Sequence, residues 1–184
     1  GGATGLGVSV ESASRGYKTL LLEQSDFAKA TSSRSTKLVH GGVRYLAQGQ
    51  IKLVYDALHE RGILLHNAAH LVKKQAFIIP CYSIWEKIKY LAGLKIYEKL
   101  SGRFSFGRAE FVKRKEINKY LPGLRMKGLR GGVRYYDGQF DDARLALNLA
   151  QTASGKGAVV LNYFKVVKLL KDKEKMSGVV AIDM

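Results

Sequence analysis

The stretch that decides the fold is GGATGLGVSVESASRGYKTLLLE, residues 1–23. Gly1 to Gly7 form a glycine-rich turn, and Val8 to Arg15 reads as a short helix. Gly16 comes next as a residue free to take the left-handed conformation that ends helices. Lys18-Thr19-Leu20-Leu21-Leu22-Glu23 is a continuous apolar run closed by an acid, the pattern of a buried parallel strand rather than a half-exposed one. The order is loop, helix, strand. The expected fold class is therefore α/β, built on a Rossmann-like parallel sheet truncated at its first strand.

The turn also has a chemistry. Gly2-Ala3-Thr4-Gly5 supplies the last two glycines of a G-x-G-x-x-G fingerprint whose first glycine would stand one position before Gly1. Such glycines let the backbone of Gly1, Gly2, Ala3, Thr4 and Gly5 approach a pyrophosphate, and the adjoining helix offers unpaired N–H groups and the positive end of its dipole. Glu23 lies eighteen residues after Gly5, at the end of the next strand, where an acid accepts hydrogen bonds from adenosine ribose hydroxyls. A carboxylate there opposes a 2′-phosphate, so the residues point to FAD or NAD rather than NADP.

Working outward, residues Ser25 to Gly42 are polar and turn-rich, and Ile51, Val54, Leu58, Leu65 and Ala69 recur on one face of a helix. Phe77-Ile78-Ile79-Pro80 has the pattern of a strand ended by proline. Asp141 is placed as the N-cap of a helix over Ala143 to Ala153, with Gly155 and Gly157 closing it and Asp142 beside it in the first turn. Strand-like runs come next at Ala158 to Leu161, Val166 to Leu170 and Val179 to Ile182, the last two joined by the polar turn Lys171 to Gly178. The pentapeptide Gly-Gly-Val-Arg-Tyr occurs at Gly41 to Tyr45 and at Gly131 to Tyr135, but its flanks do not match, so it is read as coincidence rather than repeat.

A chain of 184 residues, 46% apolar, is long enough to bury a core. No run reaches the roughly 18 uninterrupted apolar residues needed to span a bilayer, and no signal sequence or other targeting segment is visible. Cys81 has no partner for an intrachain disulfide and reads as a small buried apolar residue in a reducing compartment, cytoplasmic or matrix-type. His66 and His70 have metal-like spacing but no third ligand beside them, so no metal is expected. The net charge of +16 calls for an acidic partner: nucleic acid, an anionic membrane surface, or a phosphorylated substrate and cofactor. Between Ile84 and Arg130 there are thirteen Lys/Arg against four Glu, interleaved with Trp85, Tyr90, Tyr97, Phe104, Phe106, Phe111 and Tyr120, and a domain crossover is placed there.

The most specific run is Thr31-Ser32-Ser33-Arg34-Ser35-Thr36-Lys37-Leu38-Val39-His40-Gly41-Gly42-Val43-Arg44-Tyr45-Leu46. Clustered hydroxyl and N–H groups of Thr31, Ser32 and Ser33 suit a pyrophosphate approached from the side opposite the first turn. With the opening Gly-Gly-Ala-Thr-Gly, the Leu-Leu-Leu-Glu strand and Tyr136-Asp137-Gly138-Gln139-Phe140-Asp141-Asp142-Ala143-Arg144-Leu145, the run resembles the FAD-dependent glycerol-3-phosphate dehydrogenases and the related glycerophosphate oxidases. These lie within the D-amino-acid-oxidase-like flavoproteins. Ala30 departs from the glycine more usual in the family.

The resemblance implies FAD as cofactor and an FAD-binding domain in two parts, residues 1–75 and 136–184. The start of a second, substrate-binding α+β domain falls at 76–135. It implies that Ser33, Ser35 and Thr36 lie along the cofactor and that Lys37, Leu38, His40, Gly41 and Gly42 run toward the flavin. His40 becomes a catalytic candidate, with a hydrogen-bonded structural histidine as the bland alternative. Arg44 and Tyr45 become the substrate-binding pair, and Val167, or the neighbouring Val166, the position whose backbone reads the adenine edge. The implied reaction is oxidation of sn-glycerol 3-phosphate to dihydroxyacetone phosphate by hydride transfer to flavin N5. The base and further phosphate ligands are expected beyond Met184, so that residues 1–184 alone would be inactive. Electrons would pass to a quinone at an anionic membrane to which the basic segment attaches peripherally. The alternatives are an oxygen-using glycerophosphate oxidase, a related flavin-dependent amine oxidase and, from another class, a basic nucleic-acid-binding module, which would leave the glycine turn, Glu23 and the Thr31 to Leu46 run unexplained.

Overall fold

A computed structural model describes residues Gly1–Met184, which divide into two compact units: Gly1–Lys37 with Asp141–Met184, and Leu38–Phe140. Residues 38–75 thus belong with the segment C-terminal to them.

In the first unit, α1 (Ala3–Ser14) starts five residues earlier than the periodicity suggests, because the turn is helical from Ala3 onward and takes Gly5 and Gly7 into the helix. Gly16 takes φ +83, as a residue just past a helix end does. The strand β1 (Leu20–Leu22) pairs in parallel with β6 (Val159–Leu161), Leu21 opposite Val160, which is the parallel α/β arrangement expected. Helix α6 (Asp142–Gly155) has Asp141 as N-cap, its carboxylate accepting from Arg144 N at 3.0 Å. Leu6 of α1, Leu21 of β1 and Ala146 and Ala150 of α6 share one core with Ala28. Small residues line the α1–α6 contact, Ser9 and Ala13 against Ala146, Ala150 and Ala153, so the helix backbones approach closely. Strands β7 (Phe164–Asp172) and β8 (Lys175–Asp183) form a separate antiparallel hairpin, with the turn reduced to Lys173-Glu174.

The second unit is built on an antiparallel sheet in which β5 (Gly131–Phe140) is central. Both β2 (Leu38–Val39) and β4 (Glu110–Lys113) pair with it, as does β3 (Val72–Cys81), over ten residue pairs. Pro80 does not end β3 but sits within it, opposite Gly132. That is tolerated because β3 is an edge strand, where a missing N–H costs no ladder bond. The longer helices of this unit are α3 (Ile51–Asn67) and α4 (Ile84–Ser101), with a short α2 (Val43–Ala47) before them. The segment expected as a crossover therefore begins as a helix, fixed at its start by a capping box between Ser83 and Glu86. A short α5 (Arg114–Tyr120) comes after β4. Cys81 is fully buried with Leu94, Ala109 and Val133, and burial first, with the nearby Glu86 second, pushes its thiol above the usual range. The repeated pentapeptide takes two conformations, a loop leading into α2 at Gly41 and strand β5 at Gly131, as a coincidental match should.

Two glycines separate packing from propensity. A Cβ on Gly62 of α3 would fall 2.2 Å from Phe104 Cγ, whereas one on Gly93 of α4 would meet nothing within 4 Å. Gly62→Ala is expected to cost about 1–3 kcal/mol through overpacking, and Gly93→Ala to add about 0.4–1 kcal/mol by restricting the unfolded chain. Denaturant titration of the two variants checks this, and equal midpoints would contradict the packing described.

Candidate cofactor and substrate site

The first unit gathers three of the expected cofactor residues around one cavity. Gly2, Glu23 and Ser32 line a space of about 380 Å³, together with Gln24, Ser25, Lys29 and Arg34. Gly2 is the N-cap of α1 and makes no side-chain cap, so the first-turn N–H groups depend on other partners. Ala3 N donates to Ser32 Oγ at 2.9 Å, and a Cβ on Gly2 would lie 2.9 Å from that same oxygen. The hydroxyl of Ser32 can therefore reach the helix start only because residue 2 is glycine. Thr4 and Gly5, next in the turn, are exposed, leaving their N–H groups and the helix dipole open to an anion. Gly5 is in ordinary contact with Leu21 Cδ1, at 3.9 Å for an added Cβ, so its small size matters less for packing than that of Gly2. Glu23 is half-buried beside the Gly1 nitrogen, 2.9 Å from its Oε2, and accepts from Ser25 N at 2.8 Å.

The polar run after Ala30 is held from an unexpected side. Thr31 to Ser33 form a single 3-10 turn, and Asp142 grips Ser35 and Lys37 beyond it. Asp142 Oδ2 accepts from Ser35 N at 3.1 Å and Ser35 Oγ at 2.7 Å, and its Oδ1 from Lys37 Nζ at 2.5 Å. Lys37 Nζ also donates to Ser33 O at 2.8 Å. Burial pushes the Asp142 carboxyl up, but the hydrogen bonds from Lys37 and Ser35 outweigh it and hold it well below the usual carboxylate range. Ser35 and Lys37, expected along a cofactor, thus have these polar atoms engaged by Asp142, while Thr36 is exposed. Asp142 does more than sit in a helix first turn: it fixes the shape of the 33–37 loop.

The second unit contains Leu38, His40, Gly41, Gly42, Arg44 and Tyr45. His40 is exposed between β2 and α2, and its imidazole is engaged by no side-chain hydrogen bond or ion pair. Gly42, the N-cap of α2, has φ +70, a left-handed conformation that suits glycine, and α2 then presents Arg44 and Tyr45, the latter 44% exposed. No ion pair or hydrogen bond engages the Arg44 guanidinium. Gly41 is buried, and its N–H donates to Tyr97 Oη at 2.7 Å. Tyr97 donates to Asp137 Oδ2 at 2.7 Å, and Asp137 Oδ1 accepts from Arg61 Nη1 at 2.7 Å. Arg61 Nη2 reaches Ser101 Oγ at 3.3 Å and Phe104 O at 3.2 Å, and its guanidinium carbon lies 4.1 Å from the centre of the Phe106 ring. Burial first, and the adjacent Asp137 second, push the Tyr97 phenol well above its ordinary range, so it stays protonated.

Asp142, Asp137, Tyr97 and Arg61 were not among the expected site residues. Two of them had a signal: Arg61 continues the Val54–Leu58 face of α3, where an ion is out of place, and Asp137 stands inside a strand, where Asp is disfavoured. Val167 is exposed on β7 at a register irregularity, skipped between the Val166–Ala181 and Lys168–Val180 pairs. A second cavity, about 390 Å³, is lined by His66, Lys74, Arg103 and Phe104 among others and by none of His40, Arg44 and Tyr45. No group of three His, Cys, Asp or Glu side chains is placed to hold a metal ion, and no helix is long and apolar enough to cross a membrane.

The family described as FAD dependent oxidoreductase matches residues 1–183. The mitochondrial glycerol-3-phosphate dehydrogenase of Arabidopsis thaliana is 45% identical over 94% of the chain and 29% of its own length. The mitochondrial enzyme of Schizosaccharomyces pombe is 42% identical over 100% of the chain and 29% of its length. The chain therefore spans less than a third of these relatives. Among solved structures, glycerol-3-phosphate dehydrogenase from Bacillus halodurans, complexed with FAD, superposes with a TM-score of 0.71 at 34% identity, covering 99% of this chain and 29% of that one. Glycine oxidase from Bacillus cereus shares the fold, with a TM-score of 0.64 at 18% identity over 98% of this chain and 49% of that one.

The Asp142 anchor predicts a pH dependence. A carboxyl whose folded pKa is depressed contributes stability above its ordinary value, 3.8, and loses that contribution as pH falls below it. Asp142→Asn should melt below the wild-type protein near neutral pH, and the gap should narrow as the pH is taken below 3.8. A gap independent of pH would remove the carboxylate from the account.

Proposed function

Because the chain belongs to the FAD dependent oxidoreductase family, we propose that it forms part of an enzyme that oxidises sn-glycerol 3-phosphate to dihydroxyacetone phosphate and passes the electrons to a quinone. The observation that carries this reading is the Gly2 turn, where the exposed start of α1, Ser32 and Glu23 surround one cavity of nucleotide-binding size. These residues fit a dinucleotide: an added Cβ at Gly2 would close the approach to Ser32, and the first-turn N–H groups suit phosphate oxygens. Bound FAD would supply the hydride acceptor, at flavin N5, for the oxidation of substrate C2.

The protein's own residues then have distinct tasks. Gly1, Gly2, Ala3, Thr4 and Gly5 present backbone to the pyrophosphate, with Thr31, Ser32 and Ser33 beside them. Glu23 accepts from the ribose hydroxyls. Ser35, Thr36 and Lys37, held through Asp142, shape the loop before β2, and Leu38, His40, Gly41 and Gly42 carry the chain toward the flavin. Val167 offers backbone groups to the adenine. Arg44 matches the substrate phosphate with a planar fork of donors, Tyr45 adds one hydrogen bond, and His40 is the candidate to hold or move a proton at the substrate hydroxyl.

Residues 76–135 are assigned to the start of the substrate-binding domain. Membrane attachment is assigned to α4, which leaves Ile84, Ile88 and Ile96 exposed at helical spacing beside Trp85, itself 80% exposed, with Lys89, Lys95 and Lys99 on the same helix. The mitochondrial names of relatives support a matrix-type, reducing setting.

The direct test is anaerobic addition of glycerol 3-phosphate to the full-length protein while its visible spectrum is recorded. Bleaching of a bound-flavin band is the expected result, and a band unmoved by substrate would overturn the substrate assignment. Arg44→Ala should lower kcat/KM by about a hundredfold through loss of a charge-assisted contact, measured by the initial rate with a quinone acceptor. Peroxide formed in step with substrate oxidation would favour oxygen over quinone. Trp85→Glu should weaken co-sedimentation with anionic vesicles at low salt by about tenfold, on the scale of one lost interfacial aromatic, and wild-type sedimentation by that variant would remove α4 from the membrane.

A further inference from the structure

We propose that Tyr97 is a positioning residue for the flavin-side segment His40–Gly42, acting through its hydrogen bond to Gly41 and aimed by the buried Asp137–Arg61 pair. The inference rests on the proposed function, in which this segment borders the flavin.

The connection is continuous and buried. Arg61, Tyr97 and Asp137 each keep 4% or less of their surface exposed. A buried ion pair is weak evidence for stability, because well-packed apolar residues of the same volume serve a core as well or better. It is strong evidence for direction. Asp137 is hydrogen-bonded through both oxygens, one to Arg61 and the other to Tyr97. The phenol proton is therefore committed to Asp137, and the lone pairs of Tyr97 Oη are what remain for the Gly41 N–H. A Phe here would leave that buried N–H without an acceptor.

Sterics reinforce the hydrogen bond. A Cβ on Gly41 would lie 2.4 Å from Leu58 Cδ2 and 2.6 Å from Tyr97 Oη, so the backbone is pressed between α3 and α4 as closely as glycine permits. The next residue, Gly42, starts α2 in a left-handed conformation, so the peptide plane set at Gly41 fixes where α2 begins and hence where Arg44 and Tyr45 stand. Arg61 Nε has no hydrogen-bond partner, and the guanidinium lies over the Phe106 ring, an arrangement that holds its fork in one plane toward Asp137.

The test is Tyr97→Phe in the full-length, FAD-loaded protein, with Tyr135→Phe as its control. Tyr135 packs edge-on to Tyr97 with ring centres 6.4 Å apart, and its hydroxyl makes no hydrogen bond, so the control removes a neighbouring phenol oxygen without touching Gly41. In Tyr97→Phe the limiting rate of flavin bleaching by saturating glycerol 3-phosphate should fall about tenfold, the scale of one lost buried hydrogen bond. KM should change far less, and the position of the flavin band before substrate is added should shift. Tyr135→Phe should leave rate and band unchanged. Identical behaviour of the two variants would overturn the inference. If the wild-type flavin is not bleached by glycerol 3-phosphate, the proposed substrate fails while the band comparison still decides the role of Tyr97. If Tyr97→Phe does not fold, 3-fluorotyrosine at position 97 keeps the ring and hydroxyl but is a poorer acceptor. A flavin band displaced from its wild-type position then supports the positioning role, and an unchanged band overturns it.

Discussion

Two buried carboxylates, five positions apart at the end of β5 and the start of α6, constrain the segment on which the functional reading depends. Asp142 binds Ser35 and Lys37 in one compact unit, and Asp137 binds Gly41 through Tyr97 in the other. The run from Thr31 to Tyr45 has little regular structure and little apolar surface of its own, so burial cannot fix its conformation. Ionic hydrogen bonds can, because they have direction as well as strength. A short stretch of β5 and α6 thus determines the course of a loop about a hundred residues earlier in the chain.

The opening turn works through close approach rather than charge pairing. Its glycines are not interchangeable: Gly2 is required by the approach of Ser32 to the helix start, while Gly5 has room for a methyl group. Ser32 satisfies one first-turn N–H and leaves the next two for a ligand. Helix dipole, exposed N–H groups and the Glu23 carboxylate then offer an anion and a ribose the complementary partners each needs, from three separate elements around one cavity.

Much of this was legible in the sequence because it depends on local rules. The apolar run before Glu23 identified β1 and the Asp141 cap identified α6, whereas the glycine-rich turn proved to be helical from Ala3 onward. What stayed hidden depends on tertiary partners. Asp142 looked like a second helix-start acid, and only folding brings Ser35 and Lys37 to it. Pro80 looked like a strand end because the sequence does not say that β3 lies at a sheet edge. The Ile84 to Arg130 segment was read through its charge, whereas Leu94, Tyr97 and Ser101 show it to be in part a packed helix. Arg61 and Asp137 violate the apolar pattern of their elements, and each violation marked a partner across the unit.

Hydrogen exchange of the Ser35 and Gly41 amides, resolved by residue in the full-length protein, tests most directly whether the two carboxylates hold this segment. Both amides should exchange far more slowly than those of an open loop. Asp142→Asn should speed Ser35 alone and Tyr97→Phe should speed Gly41 alone. Exchange of either amide at the rate of an unstructured chain in the wild-type protein would contradict the account.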